Sequence, residues 1–228
     1  MHLNRSRILL FFTLLALAFL LFIMNVFPYA SIGLILIPLS YALGIFAYKN
    51  YMLWLGGLQG EEEVRSALSM LDDTYAVVSE VVIPPNHGDT DHIVIGRNGI
   101  FVIETKNYGG EITCDGDEWS RRKIGRGGSE YSLAIGSPSN QVKRNAKVLK
   151  DFILQHQKEI FGRKAPHIWV HGILVFTNKD AALNLKNQTV TIIRPVGLAE
   201  HIVKTKSESA FTSKHVDRMG DILAGHSR

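Results

Sequence analysis

Three charged residues interrupt two otherwise apolar segments: Asp91 in Asp-His-Ile-Val-Ile-Gly, and Glu104 and Lys106 in Ile-Phe-Val-Ile-Glu-Thr-Lys. Residues 91–96 and 100–106 read as strands, and Asn98-Gly99 between them is a strong hairpin signal. With the turn at Asn98-Gly99, Arg97 faces Ile100, so Ile95 pairs with Val102, Ile93 with Glu104 and Asp91 with Lys106. Opposed residues share a face, as do residues i and i+2 of one strand. Asp91, Glu104 and Lys106 are therefore expected together on one face, at the end of the hairpin away from its turn. Val94, Phe101 and Ile103 take the other face.

Such a cluster is unfavourable in a protein interior unless it is paired or holds a metal. Two carboxylates on a rigid hairpin offer the hard oxygen ligands that Mg²⁺, or Mn²⁺ in its place, prefers. A lysine beside them would orient or help deprotonate a water and stabilise charge developing on a phosphate. The same three residues equally suit a buried ion-pair network, and the pattern alone leaves both readings open. Glu61 adds a fourth group. It precedes Val64 by three residues and Leu68 by seven, so it shares their helical stripe in a first turn where a carboxylate is favoured.

The elements that must position these groups follow from periodicity. Residues 58–71 read as a helix, with Val64, Ala67, Leu68 and Leu71 on one stripe. Residues 75–83 form a strand stopped by Pro84-Pro85, and 111–114 a further short one. Residues 115–139, rich in glycine, serine and charge, read as loop. The longest helix spans 140–160, with Val142, Ala146, Leu149, Ile153 and Ile160 aligned. Strands at 168–177 and 190–194 and a helix from Pro195 to about 204 complete a mixed α/β domain, followed by a weakly patterned, helix-like tail over 206–228.

The ordered segments Gly57-Leu-Gln-Gly-Glu61-Glu-Glu-Val64, Thr90-Asp91-His-Ile-Val-Ile-Gly96 and Asn98-Gly-Ile-Phe-Val-Ile-Glu104-Thr-Lys106-Asn-Tyr-Gly-Gly resemble the NERD (nuclease-related) domain. The likeness continues through Trp119 to Ser137-Pro-Ser-Asn-Gln141. The resemblance implies a restriction-endonuclease-like mixed sheet flanked by helices over residues 51–205. It implies metal-binding roles for Asp91 and Glu104, the motif lysine in Lys106, the first-helix acid in Glu61, and the polar residue of the following helix in Gln141. It also implies nuclease ancestry. Two departures stand out: Ser137 where the family usually has Asn, and Asp89-Thr90 where it has Gln-Ile.

Arg121, Arg122, Lys123 and Arg126 around the loop 125–128 suit phosphate contacts, and equally a mobile, solvated loop. Lys143, Lys147 and Lys150 lie along the exposed side of the long helix and would grip a nucleic-acid backbone if that helix borders the site. Gly125-Arg-Gly-Gly is no phosphate loop, because no Gly-Lys-Ser/Thr follows. His167 and His171 on a strand pattern are not a zinc pair, His92 faces away from Asp91, and Cys114 has no His or Cys partner nearby.

Composition bounds the rest. Net charge is +4, and three of the 25 basic residues, Arg5, Arg7 and Lys49, flank an uncharged run of 41 residues; all 21 acidic residues lie beyond it. The basic balance is thus no nucleic-acid footprint by itself, and a single cysteine excludes an internal disulfide. The uncharged run is long enough for two spans, about 8–27 and 29–48, separated by Pro28. The expectation is a transmembrane hairpin anchor over residues 1–50, in contact with the lipid bilayer. Flanking basic residues then place both termini on the cytoplasmic side of the cell (inner or plasma) membrane. The sequence reading is a membrane-anchored nuclease-related protein with Mg²⁺-dependent phosphodiester hydrolysis of nucleic acid, DNA before RNA. Its rival is a catalytically silent nucleic-acid-binding or scaffolding domain held at the membrane.

Overall fold

The computed structural model describes residues 2–23, 30–84, 88–125, 128–162, 165–206 and 211–227. The chain divides into two units, residues 1–59 and 60–228. The first holds helix α1 (His2–Ile23) and most of α2 (Ala30–Leu68), and Gly44 gives room to the ring of Phe11. The expected anchor is not found here. Among the described residues no helix is long and apolar enough to cross a membrane. The second apolar run continues through Lys49 into Glu61–Arg65 as one 39-residue helix with Pro38 inside it. Pro28, expected to separate the two spans, lies outside the described residues. The membrane hairpin, the bilayer contact and the cell-membrane localisation with cytoplasmic termini are therefore withdrawn.

The second unit is built on a five-stranded mixed sheet in the order β1 (Ala76–Val81), β2 (Thr90–Gly96), β3 (Gly99–Lys106), β7 (Val170–Phe176), β9 (Thr191–Ile193). The first three strands form an antiparallel meander, and β7 and β9 add in parallel. Parallel addition needs a crossover. The β3–β7 crossover carries α3 (Pro138–Gln155), α4 (Gln157–Phe161) and three strands of a second sheet, β4 (Gly110–Asp115), β5 (Glu118–Ile124) and β6 (Glu130–Leu133); the β7–β9 connection supplies its fourth, β8 (Ala181–Lys186), giving the order β6-β5-β4-β8.

Helices cover both faces of the main sheet, as continuous apolar strands require. On one side Ile93, Ile95, Ile100 and Val102 pack against Leu149, Phe152 and Ile153 of α3 and against Val216 and Met219 of α6 (Ser213–Ala224). On the other, Val94, Phe101 and Ile103 meet Val64 and Leu68 of α2 and Leu198 and Ile202 of α5 (Leu198–Lys204). A third cluster joins Val142 of α3 to Leu174 and Phe176 of β7 and to Ile112 and Ala181 of the second sheet.

Two local expectations change. The tight turn between β2 and β3 is Arg97-Asn98, flanked by the pair Gly96 and Gly99, so Ile95 faces Ile100 and Ile93 faces Val102. Asn98 is held there because its Nδ2 donates to the carbonyls of Ile202 (2.7 Å) and Thr205 (2.9 Å). The register moves by two residues, not one, so every side chain keeps its face. Residues 115–139 are not all loop either. They supply β5 and β6, whose solvent-facing charges alternate with half-buried Trp119, Arg121 and Lys123.

Candidate active site

Continuing the observed register brings Asp91 level with Glu104 at the open end of the β2–β3 hairpin. Asp91 Oδ2 accepts a hydrogen bond from the Thr105 backbone N–H at 2.6 Å, which fixes the carboxylate across the strand pair. Glu104 is 2% exposed. Its Oε1 accepts from Lys106 Nζ at 2.6 Å and from Gln141 Nε2 at 2.6 Å, while Lys106 Nζ also donates to Gln141 Oε1 at 3.1 Å. Carboxylate, ammonium and amide thus close a three-membered ring of hydrogen bonds. Asn145, one helical turn beyond Gln141 and 4% exposed, reaches Glu104 Oε2 at 3.5 Å.

Helix α3 must start in the right place for this ring to form. Ser137, the residue that departs from the family pattern, is the N-cap of α3 and accepts from the Asn140 N–H, with Pro138 opening the first turn. Serine caps a helix about as well as asparagine, so the departure is harmless to docking. Asp117 adds a tether through hydrogen bonds from Ser139, Lys143 and Thr189 that hold its carboxyl down to about 2. The helix sits close to the sheet because Gly172 of β7 has no Cβ; one built there would lie 2.4 Å from Val142 Cγ1. Alanine is normally more favourable than glycine in a strand. Gly172→Ala is nevertheless expected to destabilise the protein by about 1–3 kcal/mol, because Val142 is buried and stiff. A denaturant midpoint at or above that of the native protein would refute this packing.

The acids influence one another. Burial, then the Asp91 charge, pushes Glu104 up to about 7 against an ordinary 4.5, despite the opposing ammonium of Lys106. Burial also raises Asp91, partly offset by the Thr105 N–H and by Lys106. Glu61 is raised by burial and then by Asp91, Glu80 and Asp89, so α2 does bring it into the electrostatic field of Asp91. Asp89, the second departure from the family pattern, is a carboxylate that adds to the upward pressure on all three. Burial pulls the Lys106 ammonium down, but the Glu104 charge and hydrogen bond, with Tyr108 and Asp91, more than reverse this and keep it charged. The approach of Glu61 depends on Gly60, where a Cβ would stand 2.6 Å from Thr177 Oγ1.

The expected phosphate contacts are mostly engaged elsewhere. Arg121 donates from Nε to the Gly109 carbonyl at 2.7 Å and lies over the Tyr108 ring. Arg122 pairs with Glu111 and Glu130 across the second sheet. Lys143 binds Asp117 at 2.7 Å, Lys147 lines a groove beside α3, and Arg126 lies outside the described residues. His92 packs on the opposite face, within 2.8 Å of Ser79 Oγ. Among the described residues no group of three or more His, Cys, Asp or Glu is arranged to hold a metal ion as it stands. The donor chemistry still fits a hard divalent cation, since crowded, desolvated carboxylates with raised proton affinity are the groups a cation would relieve.

Sequence reasoning missed Asn145, whose signal was its spacing of four from Gln141 on the buried stripe of α3. It also missed Arg194, which donates to the carbonyls of Phe176, Asn178 and Ala181 and so braces the strand end beside Lys106.

The family profile described as NERD, nuclease-related domain, matches residues 56–177. The chain is also similar to an uncharacterized protein of Bacillus anthracis, 43% identical over 83 residues, a match covering 35% of this chain and 39% of that relative. No solved structure matches.

Proposed function

The chain belongs to the nuclease-related domain (NERD) family, and from that membership we propose that it hydrolyses phosphodiester bonds of nucleic acid, DNA before RNA, with the help of Mg²⁺ or Mn²⁺. The observation that carries the reading is the closed ring of Glu104, Lys106 and Gln141 beside Asp91 and Glu61 at one end of a buried hairpin. Asp91 and Glu104 would hold the cation through carboxylate oxygens. Bound there, it would supply Lewis acidity and neutralise charge on the phosphate. Lys106, kept charged by Glu104, orients the attacking water and stabilises the negative charge that grows on the phosphate oxygens. Glu61, with its raised proton affinity, is suited to take the proton released by that water. Gln141 holds Glu104 and Lys106 in one geometry, a positioning role.

One observation favours a silent nucleic-acid-binding domain instead: Lys106, Gln141 and Asn145 already engage both oxygens of Glu104. A thermal-shift titration separates the two. A cation at a hundredfold excess over its dissociation constant contributes about 2.7 kcal/mol. The expected result is a rise in Tm with Mg²⁺ or Mn²⁺ that Asp91→Asn abolishes. No rise in the native protein would leave the silent domain as the better account.

A further inference from the structure

Away from the carboxylates, a groove of about 810 Å³ runs between α3 and the β9 edge of the main sheet. Lys143, Lys147 and Lys150 line one side, at spacings that put them on one helical stripe. Trp169, Gln188 and Thr191 line the other, and no lining residue is acidic. Lys143 is paired with Asp117, but Lys147 and Lys150 make no ion pair among the described residues. Trp169 is 56% exposed and belongs to none of the three core clusters. A large ring left in water beside two uncompensated cations and an open strand edge is a binding surface in need of a partner.

The groove is connected to the acidic site. Strand β7 runs parallel to β3, with Val170 level with Ile100 and Phe176 level with Lys106. Trp169, seven residues before Phe176, therefore lies about 23 Å from the level of Lys106, at about 3.3 Å per residue. Helix α3 spans the same interval: Gln141 joins the site, and the lysine stripe begins two residues later and leads away along the groove.

We propose that this groove binds a single-stranded stretch of the nucleic acid whose phosphodiester is cut at the Glu104 site. Its phosphates lie along Lys147 and Lys150, and one base stacks on Trp169. The inference rests on the nuclease reading and adds the form of the substrate. An unpaired base offers a free π-face to the indole, whereas the bases of a duplex are already stacked on one another. An acidic peptide would satisfy the lysines but leave the ring unused.

Binding of a labelled oligothymidylate of about 12 nucleotides, within the site sizes of single-strand binders, tests this with the full chain in EDTA. A blunt duplex of equal length and polyglutamate serve as competitors. Preference for the single strand is expected, with quenching of tryptophan emission on binding. Trp169→Ala should weaken binding about tenfold and remove most of the quenching, while Trp169→Phe keeps most of the affinity. Lys147→Gln/Lys150→Gln should make the log–log salt slope shallower by about 1.4. Unchanged binding by the Trp169 and lysine variants overturns the groove and leaves metal-dependent cleavage standing. Normal groove binding with no cleavage once Mg²⁺ or Mn²⁺ replaces EDTA overturns the nuclease reading and leaves the groove. Equal competition by polyglutamate or by the duplex overturns the proposal of a single-stranded ligand.

Discussion

Replacing Glu104 with glutamine is expected to make the protein more stable at pH 8 while removing its metal-dependent cleavage. The folded state holds the Glu104 carboxyl at about 7, and the unfolded chain returns it to the ordinary 4.5. Between those two values the folded chain keeps a proton that the unfolded chain has released. Stability therefore falls as pH rises through the window from about 4.5 to 7 and levels off above it. The shift corresponds to about 3 kcal/mol, an upper figure for a group coupled to Asp91 and Lys106. The pair itself is attractive, since Glu104 raises Lys106. Burial and the Asp91 charge outweigh it, because desolvation of a carboxylate commonly exceeds the gain from one partner. Glutamine keeps the acceptor for Lys106 and Gln141 and never ionises. Thermal melts of Glu104→Gln in EDTA should thus run above the native protein at pH 8 and converge with it near pH 4.5. Parallel curves at all pH values would mean that Glu104 carries no strained charge.

Removing the cation instead of the acid should have the opposite sign. Lys106→Met leaves the Glu104 carboxylate at pH 8 facing Asp91 with only the amides of Gln141 and Asn145 for support. Breaking a buried pair in this way costs about 3–5 kcal/mol, less here because Glu104 escapes by taking up a proton. About 2–3 kcal/mol is expected, or roughly 5–10 °C in Tm for a domain of this size. At pH 5.5 the carboxyl of the native protein is already largely protonated and the pair largely dissolved, so the same substitution should cost less than about 1 kcal/mol. In the Glu104→Gln background, Lys106→Met should cost little at either pH. The double-mutant cycle would then give a coupling near 2 kcal/mol at pH 8 that fades on acidification. A coupling independent of pH would contradict the ionised pair.

The site was legible because its residues alternate within strands of strong apolar character. The face shared by Asp91, Glu104 and Lys106 survived an error in the turn, since a slip of two residues preserves orientation where a slip of one would invert it. Gln141 was reached by resemblance, whereas Asn145 was not, because its spacing of four from Gln141 places it on the buried stripe without saying which group it meets there. Strands β5 and β8 escaped notice for a related reason. Glu-Trp-Ser-Arg-Arg-Lys-Ile and Ala-Ala-Leu-Asn-Leu-Lys lie in a small sheet with one wet face, and side-chain composition there follows solvent more than backbone. The uncharged run of residues 8–48 was misread as two membrane spans. Among the described residues no helix is long and apolar enough to cross a membrane, and the second apolar run is part of a helix that carries on past Lys49 to Leu68.

The central claim is that the carboxylates around Glu104 make a metal-dependent nuclease. The most direct measurement is cleavage of end-labelled DNA and RNA by the full chain with Mg²⁺, with Mn²⁺ and with EDTA, beside Glu104→Gln. The account predicts cutting that requires the metal and falls about 10²–10³-fold in the variant, the usual scale for losing one group that stabilises transition-state charge. Equal cutting by the native protein and Glu104→Gln, or cutting that persists in EDTA, would contradict it.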